Sequence, residues 1–76
     1  MAKLSELPAG GMATLKALPL DGGTFVRLRE MGLTPGTAIR LVRRAPLGDP
    51  IEIEVRGYLL SLRKAEAERV EVEPVG

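Results

Sequence analysis

The sequence of 76 residues predicts a mainly β fold, a small SH3-like barrel of about five strands with one short helix and a helical turn. Apolar and polar residues alternate without a miss from Ile51 to Arg56, as in a strand with one buried and one exposed face. Gly57 then allows a tight turn, and Leu60 and Leu62 resume the alternation, which predicts a hairpin. The other apolar stretches are short and are separated by proline and glycine. An OB-type barrel is the second possibility.

The first part of the chain is predicted to be less regular. We expect one domain over residues 1–76, in which residues 1–11 form an N-terminal extension, because Pro8 and two glycines limit regular structure there. Met12–Leu18 is predicted as the first strand. Its odd-numbered and even-numbered positions both include apolar residues, so the two faces of the strand are poorly distinguished. Small closed barrels tolerate such strands at their edges and crossings.

The only predicted helix of more than one turn covers Thr24–Met31. Asp21 or Thr24 can cap its first turn, and Gly32 stands where a left-handed residue is expected after the last turn. One face of this helix is apolar and is predicted to pack on the core through three side chains, Phe25, Leu28 and Met31.

Two strands and a helical turn complete the prediction. Pro35 and Gly36 form a turn that leads into a strand over Thr37–Ala45, with Arg40 outward. Lys64–Glu68 contains good helix formers but is only long enough for one turn. A last strand then closes the sheet. The residues predicted to point inward are Ile39 and Leu41 in the first of these strands and Val70, Val72 and the further candidate Val75 in the last.

Composition excludes several classes of function. The chain contains no cysteine and no histidine, which removes disulfides, thiolate zinc sites and the commonest general base. No segment matches the phosphate-binding pattern GxxxxGK[ST], and no charge-free run approaches the length of about 20 residues that a membrane-spanning helix needs. We therefore expect no enzyme activity and no cofactor, and a cytosolic location.

Three acidic residues are candidate metal ligands. Glu52 and Glu54 share one face of the predicted hairpin, and Asp49 precedes them. Tight sites for hard cations usually converge three or more oxygen ligands, and ferrous iron normally also recruits histidine or cysteine. The sequence therefore predicts a structural role for these carboxylates and no metal site.

Particular stretches of the sequence resemble one family. Residues Arg27–Thr37, Val42–Ile51, Arg56–Tyr58 and Leu60–Arg63 are similar, in order and spacing, to the ferrous iron transport protein A (FeoA) family, and the likeness runs from about Met12 to Glu73. The resemblance implies an SH3-like cytosolic domain that acts with FeoB, a membrane iron transporter carrying a GTPase domain. The same fold is found at the C-terminus of DtxR-type metal-dependent repressors, so the resemblance has a second branch.

Five residues are predicted to contact such a partner. Period-2 alternation sends Leu59 outward, where with Tyr58 and Leu47 it would form an apolar patch suited to protein contact. Arg43 and Arg44 would flank this patch and attract an acidic surface. Two interpretations of Tyr58 stay open, half-buried packing or partner contact.

The remaining hypotheses concern other partners. A basic patch of Arg40, Arg43, Arg44 and Arg56 could meet an acidic protein, phosphates or only water. The net charge of +1 and the presence of one phenylalanine and one tyrosine argue against nucleic acid, which is kept as an alternative. A repressor-type domain that binds metal or a proline-rich segment is the other alternative. The oligomeric state is left open.

Overall fold

A computed structural model describes residues 2–75 of the chain. The elements are β1 (Ala2–Lys3), a 3-10 turn (Leu4–Glu6), β2 (Met12–Ala17), α1 (Gly23–Glu30), β3 (Ala38–Arg44), β4 (Ile51–Val55), β5 (Tyr58–Leu62), α2 (Lys64–Ala67) and β6 (Glu71–Pro74). The strands form one antiparallel sheet in the order β1-β6-β2-β3-β4-β5. The mainly β, SH3-like prediction is confirmed, and a sixth strand is added at the N-terminus.

The β4–β5 hairpin follows the predicted alternation. Ile51, Ile53 and Val55 are buried, whereas the residues between them are partly exposed. The turn consists of two residues, and both have positive φ: 52° at Arg56 and 85° at Gly57. Positive φ at both central positions is the requirement of a type I′ turn, whose twist matches that of the two strands.

The N-terminal segment is more ordered than the sequence suggests. Regular structure is predicted to be limited in the extension over residues 1–11, but β1 pairs with β6 and is followed by a 3-10 turn. Leu4 and Leu7 are buried in the core, and the Leu4 amide donates to the carbonyl oxygen of Val70 at 2.9 Å. Burial of two leucines thus outweighs the limits that Pro8 and the glycines place on this segment.

The cap predicted for α1 is wrong. The residue before the helix is Gly22, and no side chain caps the first turn. The two candidate caps have other partners instead. The Asp21 carboxylate accepts from Arg69 at 2.8 Å, and the Thr24 hydroxyl donates to Glu66 at 2.8 Å.

The end of α1 confirms Gly32 but corrects Met31. The Leu33 amide donates to the Leu28 carbonyl at 2.9 Å and the Gly32 amide to the Arg29 carbonyl at 3.0 Å, which is a Schellman motif. Gly32 takes φ +98°, and Leu33 enters the core beside Leu28. Met31 is 41% exposed, so the prediction that it packs inward is wrong. The left-handed turn at Gly32 redirects the chain directly after Met31. Leu33 therefore takes the core position that was predicted for Met31.

A glycine pair around α1 gives the first testable prediction. We expect Gly32→Ala to lower the free energy of unfolding by about 1–2 kcal/mol, because an L-residue is strained at φ +98°. Gly23→Ala should instead raise it by about 0.4–1 kcal/mol, because φ is not positive there and no atom lies within reach of the new Cβ. Urea unfolding curves measure both. Equal effects of the two substitutions would contradict the assigned end of the helix.

The core is apolar throughout the described chain. Sixteen residues are buried, and none of them is polar or charged. Register shifts between Leu15 and Ala17 and between Leu41 and Arg43 mark irregularities at which the strands can bend, so that the sheet curves around this core. Leu60 is half-buried against it and Leu62 is fully buried. No helix in residues 2–75 is long and apolar enough to cross a membrane.

Candidate partner-binding surface

Three of the five predicted contact residues are exposed apolar or aromatic side chains. Leu47 is 96% exposed, Tyr58 60% and Leu59 66%. The outward direction of Leu59 is therefore confirmed, and Tyr58 is not buried by packing. Their role as a contact surface stays a prediction.

These three residues do not form one patch. Tyr58 and Leu59 begin β5, where Tyr58 pairs with Val55 at the end of β4. Leu47 lies in the loop that precedes β4, beyond Ile51. A five-residue strand rises about 13 Å between its first and last residue, so Leu47 lies at the opposite end of the hairpin from Tyr58. The apolar surface is thus divided into two separate parts.

Arg43 and Arg44 are also separated by their contacts. The guanidinium of Arg43 forms an ion pair with Glu52 on the exposed face of the sheet, and its hydrogen bond to that carboxylate raises the pKa of Arg43. The guanidinium of Arg44 instead donates to two backbone carbonyls of the N-terminal segment, to Ser5 at 2.7 Å and to Leu7 at 2.5 Å. Arg43 is therefore accessible to a partner, whereas Arg44 holds the N-terminal segment against β3.

The expected basic patch is largely neutralised. Arg40 and Glu54 are cross-strand neighbours and form an ion pair at 2.8 Å, next to the pair made by Arg43. Of the four arginines considered for the patch, Arg56 alone has neither an ion pair nor a side-chain hydrogen bond within residues 2–75. Alternating cations and anions across β3 and β4 offer little attraction to a run of phosphates.

Leu59 continues a row of side chains across the exposed face of the sheet. Register places Met12, Arg40, Glu54 and Leu59 side by side on β2, β3, β4 and β5. Met12 is also exposed, and it lines a shallow depression of about 220 Å³ with the ion pair. Met12 is not among the contact residues predicted from the sequence. The signal that could have indicated it is that alternation places Met12 on the same strand face as Thr14 and Lys16.

The acidic residues near the hairpin are occupied by structural contacts. Glu52 and Glu54 pair with arginines, and the Asp49 carboxylate accepts from the Lys64 amide at 2.9 Å, at the start of α2. Across residues 2–75 no three side chains of aspartate, glutamate, histidine or cysteine converge in a way that could hold a metal ion.

Glu66 connects the two helices and sets the position of α1 beside the hairpin. Its carboxylate accepts from the Arg63 amide at 2.9 Å and from the Thr24 hydroxyl at 2.8 Å. The bond from Arg63, and next that from Thr24, hold the pKa of Glu66 below its ordinary value. As a result, the start of α1 lies next to the residues that follow β5.

A groove lies between α1 and β5. Its volume is about 190 Å³, which is smaller than a typical small-molecule site of about 300–1,000 Å³ and fits one or two side chains. It is lined by Thr24, Arg27, Leu28, Met31, Leu60, Ser61 and Leu62. The groove is not predictable from helical spacing, because that spacing places Met31 in the core.

Comparison with known proteins identifies the family. A model of the FeoA domain matches residues 2–74. The chain belongs to the FeoA family. The resemblance found in the sequence is confirmed, and the match also includes the N-terminal residues that contribute β1 and the 3-10 turn.

Solved FeoA structures share the fold along almost the whole chain. FeoA from Chlorobium tepidum superposes with a TM-score of 0.90 at 40% identity, over 97% of this chain and 70% of that one. FeoA from Stenotrophomonas maltophilia, solved with zinc, gives 0.78 at 34% identity, over 96% and 91% of the two chains. That protein is presented as a prokaryotic SH3-domain protein and a candidate activating factor of ferrous iron transport.

A FeoA-family segment also occurs inside a larger protein. The chain is 38% identical over 71 residues to a fusion of Fe(2+) transport protein A and Fe(2+) transporter FeoB from Porphyromonas gingivalis. The match covers 93% of this chain but only 8% of the fusion protein. In that organism a FeoA segment and FeoB are therefore one polypeptide.

The similarity to metal-dependent repressors is a similarity of fold. A manganese-dependent transcriptional repressor superposes with a TM-score of 0.80 at 15% identity, and the zinc-bound ScaR with 0.81 at 23%. This chain covers 41% and 37% of them. At such identities the comparison shows a shared fold and nothing about binding or regulation.

Proposed function

We propose that this FeoA-family domain is a non-catalytic accessory protein of bacterial ferrous iron transport that binds the cytosolic part of FeoB. The observation that carries the proposal is the FeoA–FeoB fusion in Porphyromonas gingivalis. A fusion keeps two domains at a high effective concentration, which is useful for domains that act together. The transport role presented for the Stenotrophomonas maltophilia relative supports the same conclusion.

The exposed start of β5 is the contact surface that we propose. Tyr58 and Leu59 are adjacent, exposed and adjoin the Arg40–Glu54 ion pair. Aromatic and large apolar residues with a polar rim are the usual composition of a protein interface. Arg43 is accessible on the same face and would contact an acidic group of the partner at close range, because its ion pair with Glu52 weakens its long-range attraction. Leu47 would be a second, separate contact.

Substitution of Leu59 tests this surface. We expect Leu59→Glu to raise the Kd for the cytosolic part of the FeoB encoded in the same genome by about tenfold or more, because a carboxylate would be buried in an apolar contact. Isothermal titration calorimetry measures the change. The same variant should leave the unfolding midpoint almost unchanged, because Leu59 is exposed in the free domain.

Leu47→Glu is the matched comparison, with the same chemical change at the other end of the hairpin, and we expect it to cost less affinity than Leu59→Glu. A larger loss of affinity for Leu47→Glu than for Leu59→Glu would move the contact to the loop before β4. No binding by the wild-type domain, at concentrations well above those of weak regulatory complexes, would contradict the proposed function itself.

A further inference from the structure

The edge strand β5 lacks the features that protect other sheet edges. Tyr58–Leu62 contains no charged residue, no proline and no bulge, and it borders the sheet on one side only. The opposite edge, β1, is two residues long and carries Lys3. Natural proteins usually block exposed edges with charges, bulges or short strands. The unprotected β5 edge is therefore available for pairing with another strand.

The turn determines which backbone groups are free. In a two-residue hairpin Val55 and Tyr58 form a hydrogen-bonded pair, and such pairs recur at every second residue. Leu60 and Leu62 consequently bond to β4, whereas the amides and carbonyls of Leu59 and Ser61 point away from the sheet. Apart from the strand ladders, the hydrogen bonds of residues 2–75 do not involve these four groups. They could form four hydrogen bonds to an added strand.

The groove between α1 and β5 borders this same edge. An added strand would place alternate side chains into the groove, against Leu28, Met31 and Leu60, and the others on the exposed face beside Leu59. The groove volume of about 190 Å³ suits one or two such side chains. Backbone pairing and the groove thus favour the same extended ligand.

The arginines near β5 and the groove indicate that the ligand carries acidic residues. Arg27 lines the groove, and Arg56 and Arg63 are exposed at the two ends of β5. None of these three forms an ion pair within residues 2–75, and no acidic residue lines the groove. A second copy of β5 would bring no carboxylate and would place its own arginines against these. A segment that carries acidic residues would be complementary to them.

We propose that β5 binds an extended, apolar segment with acidic residues from a partner polypeptide, which adds to the sheet as a further strand. This inference rests on the proposed function in one respect, namely that the cytosolic part of FeoB supplies the segment. The mode of binding is independent of that identity, and the two can be tested separately.

Amide hydrogen exchange tests the mode of binding directly. In the free ¹⁵N-labelled domain the Leu59 and Ser61 amides should exchange rapidly, and Leu60 and Leu62 slowly. Addition of the cytosolic part of FeoB should slow exchange at Leu59 and Ser61 by about tenfold or more, because both amides become hydrogen-bonded. Binding that leaves these two amides unprotected would overturn the inference while preserving the proposed function.

The substitution Ser61→Pro provides a second test, by measurement of affinity. Ser61→Pro removes an amide that makes no bond to β4, so the hairpin can persist, but an added strand would lose a hydrogen bond and meet the ring. We expect the Kd to rise by about tenfold or more, whereas Ser61→Ala keeps the amide and stays within about threefold. Equal affinities of the two variants would overturn the inference. If Ser61→Pro does not fold, the exchange experiment decides.

Two further outcomes identify a different occupant. Concentration-dependent protection of Leu59 and Ser61 in the free domain would show that a second copy covers the edge, and would overturn the proposed partner. If FeoB does not bind, the peptide Asp-Ile-Thr-Val-Glu-Val-Asp is the probe, with a control peptide carrying lysine in place of each acid. Protection by the acidic peptide alone supports the inference, and protection by neither overturns it.

Discussion

Replacing Leu4 with alanine is expected to lower the free energy of unfolding by about 2–5 kcal/mol. Leu4 is 0% exposed, and the shortened side chain would leave a cavity in the core beneath the N-terminal turn, whose backbone is bonded to Val70. A domain of this size is stable by about 4–11 kcal/mol, at about 0.05–0.15 kcal/mol per residue. One substitution outside the five predicted strands should thus remove a large part of the stability. Urea unfolding followed by circular dichroism measures it.

Leu47→Ala is the matched control, because Leu47 is 96% exposed. It should change the free energy of unfolding by no more than about 0.5 kcal/mol. If Leu4→Ala is as mild as Leu47→Ala, the N-terminal segment is not part of the core, and the original prediction of an extension over residues 1–11 would be restored.

Replacing Arg44 with methionine is expected to lower the free energy of unfolding by about 1.5–3 kcal/mol. Methionine keeps an apolar stem of similar length but lacks the guanidinium that donates to the Ser5 and Leu7 carbonyls. Both carbonyls would lose a charge-assisted hydrogen bond, and the N-terminal turn would be less firmly held. Thermal unfolding and exchange of the Leu4 amide measure the effect.

Arg43→Met distinguishes the two neighbouring arginines. Arg43 makes an ion pair on the exposed face, and such pairs contribute little to stability, so its unfolding midpoint should move much less. In the titration with the cytosolic part of FeoB the order should reverse, with Arg43→Met raising the Kd more than Arg44→Met. A larger loss of stability for Arg43→Met would contradict the structural role assigned to Arg44.

The parts of the fold that depend on local pattern were predictable. The β4–β5 hairpin follows from alternation between Ile51 and Arg56 and from one glycine, because both signals act between neighbouring residues. Gly32 was predictable as the end of α1 for the same reason. These features need no knowledge of which strands meet.

Most of the wrong predictions concern contacts between distant residues. β1 exists because Ala2 and Lys3 meet Val72 and Glu71, and nothing near residue 2 in the sequence reports that pairing. Asp21 is a possible cap by sequence but instead pairs with Arg69, far along the chain. Tertiary packing decides these two cases. Met31 is an exception of local origin, because the chain turns at Gly32 and Leu33 takes the core position that helical spacing predicts for Met31.

The candidate site was predictable by residue but not by arrangement. Alternation correctly sent Leu59 outward, and the exposure of Leu47 follows from its position in a loop. Whether the two side chains adjoin depends on the strand register, which places them at opposite ends of the hairpin. The contrast between Arg43 and Arg44 depends on the N-terminal segment, whose place in the fold was not predicted.

The pairing of β1 with β6 has a consequence for how the domain can be tethered. Ala2 and Val72 are neighbours, so both ends of the described chain leave from one margin of the sheet, and β5 forms the other margin. A linker attached at either end would not occupy the hydrogen-bonding groups of Leu59 and Ser61. In a fused polypeptide the domain would therefore stay tethered while β5 binds and releases its ligand. The length of the linker would set the effective concentration of β5 near that ligand.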